Sequence, residues 1–337
     1  MDNYRNHPSL SQSELKATHY GNEVKIKDED LRFHSEKRHF ILGDAVDILI
    51  TQPDTFNDVF HTDSVENKPT EKMMNYLHAL HEKTDGQPLE GLEYCNSILE
   101  DVAKEVSYLA KMSGEKIQER VLVHNDYYES ITSSQSKQII STEELDIVNK
   151  IVDGFKNHLV IGKYFEESWD TEFRFQLELY FTHKYKGQEI ECKGLLDMVK
   201  FDHDKKIIYP YDIKTMGDYT FRFKKSFKQR RYDIQAAWYT LALQKNFPEY
   251  TVMPFVFIVD STVEPGNPCA FEVSNTLMEI ANYGRHRVLS NGCLIKHKVD
   301  GINQMLDSYL FYKENGKLEH KELVENDYVI KLDSELW

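Results

Sequence analysis

Thr171-Glu-Phe-Arg-Phe-Gln-Leu-Glu-Leu-Tyr-Phe181 puts Phe173, Phe175, Leu177, Leu179 and Phe181 at every second position, with Arg174, Gln176, Glu178 and Tyr180 between them. A period of two belongs to a strand with one apolar and one polar face. Gly187 turns this strand into a second, Glu189–His203, and the polar Asp202-His-Asp-Lys205 run turns that into a third, Lys206–Met216. Three strands joined by such short turns predict an antiparallel meander. Beyond it, Ile234, Ala237, Trp238, Leu241 and Ala242 recur at helical spacing in Tyr232–Phe247. Strands are expected at Val252–Val259 and Ala270–Val273, and 275–312 reads as largely helical. Trp169 and Trp238 are expected in the core, by their size.

On the N-terminal side, Ser11-Gln-Ser-Glu14 has capping-box spacing and opens a short helix. A polar stretch, 21–38, leads into Phe40–Ile50, where Leu42, Ala45, Val46 and Leu49 form the buried stripe of a helix that carries Asp44 and Asp47. His34 and His39 flank it and are assigned ordinary surface roles. Residues 70–160 read as mostly helical. Glu90–Met112 is a long amphipathic run, and a second capping box, Ser141-Thr-Glu-Glu144, opens a helix with Val148, Ile151, Val152 and Phe155 on one stripe. The expected organisation is an N-terminal segment with the first core helix (1–60), a helical insertion (61–165), a core (166–313) and a charged tail (314–337). The expected fold class is α/β (α+β): a mixed central sheet flanked by helices, with the helical insertion before it.

The chain has 337 residues, and Lys+Arg 41 against Asp+Glu 56 leaves a formal charge of −15. That excludes coating nucleic acid by bulk charge, but not a local basic track, because fields are screened within about 8–10 Å at physiological salt. No apolar run is long enough for a membrane span. The start, Met1-Asp-Asn-Tyr-Arg-Asn, has no signal-peptide core, so a cytoplasmic location is expected. Cys95, Cys192, Cys269 and Cys293 lack C-x-x-C spacing, which argues against a zinc ribbon, a disulfide scaffold and an iron–sulfur cluster.

Chemistry concentrates on the meander. Asp212 and Lys214 are two residues apart on one strand and therefore share a face. Asp197, on the strand before, stands between Leu195 and Val199 and is expected on their apolar face, where a carboxylate is costly unless paired or bound to a cation. Glu178 supplies a third acid. Hard carboxylate ligands suit Mg²⁺, which usually takes one or two of them with waters and phosphate oxygens. A lysine alongside stabilises negative charge, and the set meets the needs of phosphodiester hydrolysis. An Asp-x-Lys alone is also what an ordinary solvated surface pair looks like. Arg222-Phe-Lys-Lys-Ser-Phe-Lys-Gln-Arg-Arg231 holds Arg222, Lys224, Lys225, Lys228, Arg230 and Arg231 without an acid. It reads either as a solvated loop or as a nucleic-acid track in which Phe223 and Phe227 stack on unpaired bases.

Taken together, Glu178, Cys-Lys-Gly-Leu-Leu-Asp197, Tyr211-Asp-Ile-Lys-Thr215 and Gln235-x-x-x-Tyr239 resemble the PD-(D/E)xK nuclease superfamily in its RecB/RecE-like branch, with a likeness to the phage-type exodeoxyribonuclease VIII (RecE) nuclease domain. Leu42–Phe56 is similar to that family's first helix and Ser11–Lys16 to its Ser-x-Ser-x-Leu-Lys opening. The likeness runs to about Tyr239, with 60–165 as helical filler. It implies a restriction-endonuclease-like core and a metal-dependent DNA exonuclease. Asp47, Asp197, Asp212 and the Ile213 carbonyl would ligate Mg²⁺ or Mn²⁺, and Glu178 would act in or next to that set. Lys214 would position water, while Gln235 and Tyr239 would orient the phosphate or the water. Leu196 replaces the family's proline before Asp197, and Asp47 stands where relatives often have histidine, which favours a harder ion. No cysteine cluster corresponds to that of the iron–sulfur relatives. The resemblance further implies digestion of double-stranded DNA ends, 5′→3′, leaving single strands for an annealing protein, by a homo-oligomeric ring. A structure-specific or nicking endonuclease, a non-catalytic nucleic-acid-binding protein of the same fold, and a structural Ca²⁺ site are the alternatives.

Overall fold

The computed structural model describes residues 2–19, 38–63, 69–90, 96–134, 137–285 and 299–315. Its N-terminal half runs α1 (Asp2–Arg5), α2 (Gln12–His19), α3 (Arg38–Thr51), α4 (Phe56–Val59), β1 (Phe60–Asp63), α5 (Glu71–Lys83), α6 (Asn96–Glu105), α7 (Gly114–Leu122), α8 (Asn125–Ser133), β2 (Gln138–Ser141) and α9 (Thr142–Asn157). The meander follows as β3 (Thr171–Tyr185), β4 (Gln188–Asp202) and β5 (Ile207–Met216). Then come α10 (Phe223–Arg230), α11 (Tyr232–Asn246), β6 (Thr251–Val252), β7 (Val256–Ser261), β8 (Cys269–Glu272), α12 (Asn275–Tyr283) and α13 (Ile302–Asn315).

The six-stranded sheet is mixed, in the order β3-β4-β5-β7-β8, with β6 also pairing β5. β3–β4 and β4–β5 are antiparallel, as the short turns require, and β5–β7 is parallel, reached through the crossover helices α10 and α11. Lys186 and Gly187 both have positive φ (48° and 79°), the geometry of a two-residue hairpin that keeps the strands' right-handed twist. The next turn is fastened by Asp202, whose carboxylate accepts from the Lys205 backbone and ammonium, both at 2.8 Å.

Helices cover both faces. On one, α2, α11, α12 and α13 bury Leu15, Trp238, Leu243 and Leu306 against Leu179, Phe181, Leu196 and Phe257. On the other, α3 and α9 bury Leu42, Val46, Ile50, Val148 and Phe155 against Met198, Tyr211, Ile213 and Ile258. This is the expected α/β class with a mixed sheet between helical layers, compatible with a restriction-endonuclease-like fold. α5–α8 gather a separate core around Tyr76, Leu80, Val102 and Tyr128. α9, from the same expected insertion, packs instead on the sheet. Both capping boxes form: Ser11 with Glu14, and Ser141 with Glu144.

Several expectations change. Within the Glu90–Met112 run, 91–95 lie outside the described residues, and the helix α6 ends at Glu105, because Ser107 and Leu109 turn to positive φ (53° and 58°). The insertion contains β2, paired in parallel with β1. The strand expected at Val252–Val259 is split between β6 and β7. Trp238 is core as expected, but Trp169 is 91% exposed, at a turn. The basic run is a helix rather than a loop, and Phe223, buried, and Phe227, half-buried, pack against Phe257 and Tyr232. His34, Cys95, Cys293, the His39 side chain, most of the 21–38 stretch and 316–337 lie outside the described residues.

Candidate active site

The apolar alternation of β3 switches sides at Gln176. Leu177, Leu179 and Phe181 pack under α11, whereas Phe173 and Phe175 pack under α3. Gln176 lies at the switch with φ of 47°, a conformation that L side chains adopt only when their surroundings enforce it. Between the pairs Phe175–Met198 and Leu177–Leu196, it falls opposite Asp197. β4 switches at the same rung: Leu196 and Val199 share a core across three residues, and Met198 joins the other one. Asp197 therefore does not share the face of Val199, as simple alternation implies. It occupies the kink.

The β4–β5 ladder also stops there. Its last pair is Met198–Tyr211, and the next amide, that of Ile213, donates to the Asp197 carboxylate at 3.2 Å. A side chain thus replaces the ladder, and the strands part. Beyond that point the freed edge of β4 is covered by Leu10, which exchanges hydrogen bonds with Glu191 and Lys193, both at 2.9 Å. The parting lets groups from both faces meet. Ile208 and Met216 pack on the α11 side, so Asp212 and Lys214 point that way by alternation. Asp47 comes from α3 on the other side.

Asp212 is fully buried, and Lys214 is 22% exposed at the side chain. The Lys214 ammonium pairs with Asp212 Oδ1 and stands 3.9 Å from Asp197 Oδ2. Gln235 on α11 donates to Asp212 Oδ2 at 2.5 Å. Gln176 Nε2 donates to Asp47 Oδ2 at 2.9 Å, while Asp47 Oδ1 is buried with no hydrogen-bond partner among the described residues. Tyr239, one turn beyond Gln235, is buried against Gly194, where an added Cβ would come 3.3 Å from its ring.

Burial first, and the neighbouring Asp197 second, push the Asp47 and Asp212 carboxyls above the usual carboxylate range. Burial opposes the charge of Lys214, but Asp212 and Asp197 more than offset it, so the ammonium is held above its normal range. Burial and then the charge of Asp212 raise the Tyr239 phenol well beyond its normal value. Lys16 of α2 closes the same corner. Its ammonium donates to the Arg230 carbonyl at 3.3 Å, and burial lowers its pKa to about 8 against the pull of Asp233.

Of the residues singled out in the sequence, Asp47, Asp197, Asp212, Lys214, Gln235 and Tyr239 converge. Ile213 contributes its amide to Asp197. Glu178 is exposed two residues farther along β3 and accepts from the Tyr180 hydroxyl at 3.4 Å. Gln176, not Glu178, reaches Asp47. That role was invisible in the sequence, where Gln176 is one polar residue of an even alternation. Among the described residues, no three His, Cys, Asp or Glu side chains stand close enough to cage a metal as they are. Lys214 lies between two of the acids, and Gln176 holds one oxygen of the third. The donor set nevertheless fits a hard divalent ion: carboxylates only, mutually repelling, with one oxygen buried and unsatisfied.

Beside this corner, α10 exposes Lys224, Lys225, Lys228 and Arg230. Arg230 lies 5.4 Å from the Phe40 ring of α3. Arg222 is paired with Asp218 at 3.0 Å. Arg231, in left-handed conformation between α10 and α11, is tied to Asp233 at 2.9 Å and to the Asp300 carbonyl at 2.8 Å, and is thereby a structural strut.

No helix of the described residues is long and apolar enough to cross a membrane. No protein-family model matches the chain, and no curated protein matches it. Solved structures similar to it include a presumed exonuclease from Eubacterium rectale, at 14% identity and a TM-score of 0.30, covering 66% of this chain and 70% of that one. They also include the protein SSO0001, at 15% identity and a TM-score of 0.24, covering 48% of this chain and 67% of that one. At such values the likeness carries no functional weight, and the residues themselves must.

Proposed function

We propose that the chain is a metal-dependent DNA nuclease, acting as an exonuclease on duplex ends. The observation that carries this reading is the kinked corner where Asp47, Asp197, Asp212 and Lys214 meet, with an unsatisfied carboxylate oxygen and the lysine set between two of the acids. Buried like charges are expensive to hold without a compensating cation, and a binding fold has no use for that expense. Asp47, Asp197 and Asp212 would hold Mg²⁺ or Mn²⁺. Such an ion supplies a hydroxide near neutral pH and neutralises charge on the phosphorus.

The chain's own groups do the rest. Gln235 fixes one oxygen of Asp212 and so sets which oxygen faces the substrate. The Ile213 amide does the same for Asp197, and Gln176 for Asp47. Lys214, protonated throughout the neutral range, offers its N–H groups to a water or to the charge that develops on a phosphate oxygen. The exposed cations of α10 hold backbone phosphates without reading sequence. The RecE-like resemblance adds the finer reading: 5′→3′ digestion in phage-type recombination, with an annealing protein receiving the single strand.

The test is digestion of linear duplexes labelled at the 5′ or 3′ end, and of circular duplex, with Mg²⁺ and with EDTA. Mg²⁺-dependent nucleotide release from linear substrate only supports the exonuclease. Cleavage of the circle supports the endonuclease alternative. Activity that persists in Asp212→Ala or Lys214→Ala refutes the site.

A further inference from the structure

Two aromatic rings stand in water a few residues beyond Lys214. Phe221 is 69% exposed and Tyr219 37%, both in the short connection between β5 and α10, whereas Phe223, the first residue of α10, is buried. The two rings are stacked, with centroids 5.6 Å apart and planes at 21°. The Arg222 guanidinium lies 5.9 Å from the Tyr219 ring and 5.8 Å from the Phe221 ring. Asp218 holds Arg222 from below with contacts of 3.2 and 3.0 Å, and also accepts the Tyr219 amide at 2.8 Å. Thr220, between the rings, is buried. The segment is therefore a braced ledge, and its apolar surface is turned outward by construction rather than left over.

We infer that Tyr219 and Phe221 form a stacking platform for an unpaired nucleobase of single-stranded nucleic acid, next to the corner proposed above as the nuclease centre. An exposed flat π-face backed by an arginine is what sequence-tolerant base binding uses. The platform leads directly into α10, whose exposed Lys224, Lys225 and Lys228 supply the phosphate contacts that such binding also needs. Four residues lie between Lys214 and Tyr219, so five chain steps reach at most about 18 Å, or roughly five base steps along one strand. One strand can thus touch the ledge, α10 and the carboxylates together. The stacking role expected of Phe223 and Phe227 falls instead to the two rings that the fold leaves in solvent.

The platform rests on the nuclease reading only for its purpose, and the two can fail separately. The probe is a 12-nucleotide oligothymidylate with one 2-aminopurine, mixed with the full chain in EDTA so that no cleavage occurs. Binding should quench the fluorophore. Phe221→Ala and Phe221→Leu should abolish the quench and weaken binding about fivefold or more, while Phe221→Trp retains both. All three leave thermal stability unchanged, since the ring is exposed. Quenching that survives Phe221→Ala, or no binding by the unaltered chain, overturns the platform. So does a Phe221→Ala chain that loses the quench but also sediments as a smaller species, which would make the ledge a contact between copies. Mg²⁺-dependent digestion, measured on the same preparations, decides the nuclease reading by itself. Quench without digestion removes the enzyme and keeps the platform, and digestion with a Phe221-independent quench does the reverse.

Discussion

The core of α5–α8 and the corner between β4 and β5 both bury polar groups, and they treat them in opposite ways. In the helical core the buried hydroxyls of Tyr76 and Tyr128 have neutral partners: Tyr76 donates to the Leu99 carbonyl at 2.9 Å, and the Tyr128 hydroxyl meets Thr84 at 2.9 Å and the Gln87 carbonyl at 3.0 Å. In the corner, Asp197 and Asp212 share one ammonium, Asp47 stands beside them, and one Asp47 oxygen goes without a hydrogen-bond partner among the described residues. Burying a satisfied hydroxyl is close to neutral, whereas burying like charges raises their pKa values and leaves the site in want of a cation. The first pattern builds structure and the second prepares chemistry.

The sharpest way to break that contrast is to remove a charge of each sign from the corner. Asp212→Ala and Lys214→Ala are expected to lower Mg²⁺-dependent digestion by roughly 10²–10³-fold or more, read as nucleotide release from linear duplex. Unaltered digestion would put the corner in the same class as the helical core. Gln235→Ala removes only the group that orients Asp212, and a drop of roughly 10–100-fold is expected in the same assay. Without a second effect on the Mg²⁺ concentration needed, Gln235 would be a packing residue and nothing more.

A pH series sharpens the comparison next. Asp47 and Asp212 hold protons above the range of an unfolded aspartate, whose pKa is about 3.9. The folded chain then binds more protons than the unfolded one from about pH 4 upward, so stability must fall as pH rises toward neutrality. Melting curves in EDTA should show that fall, and Mg²⁺ should flatten it. A melting point that rises over the same interval contradicts the buried repulsion. By contrast, Tyr128→Phe in the helical core should lower stability by about 1 kcal/mol at every pH, with no change in Mg²⁺ response. The smallest effect concerns thiols. Cys192 is buried and its pKa is pushed up to about 12 by that burial, whereas Cys269 is exposed. Maleimide should modify Cys269 within the folded protein and reach Cys192 only on unfolding.

Much of this architecture was legible before any coordinates. Capping at Ser11 and Ser141, the hairpin at Lys186–Gly187 and the pairing of Asp212 with Lys214 are local, set by side chains within a few residues of one another. The apolar stripes of α3 and α9 were legible for the same reason. Gln176 was not. Nothing in an even alternation marks the one residue whose φ reverses, because the reversal is enforced by α3 and β4 from outside the strand. Nor was the outward face of Trp169 or the inward face of Phe223, since size and spacing predict burial only where another element arrives to do the covering.

By itself, then, the amino-acid order determined the strands, their turns, their order along the meander and the two acids nearest the lysine, because each depends on periodicity and on neighbours close in the chain. Only the packed structure decided that Asp47 faces Asp197, that Gln176 and not Glu178 completes the corner, and which aromatic rings remain in water. Those outcomes depend on where the kinked strands part, a property of the balance between two cores on opposite faces of one sheet.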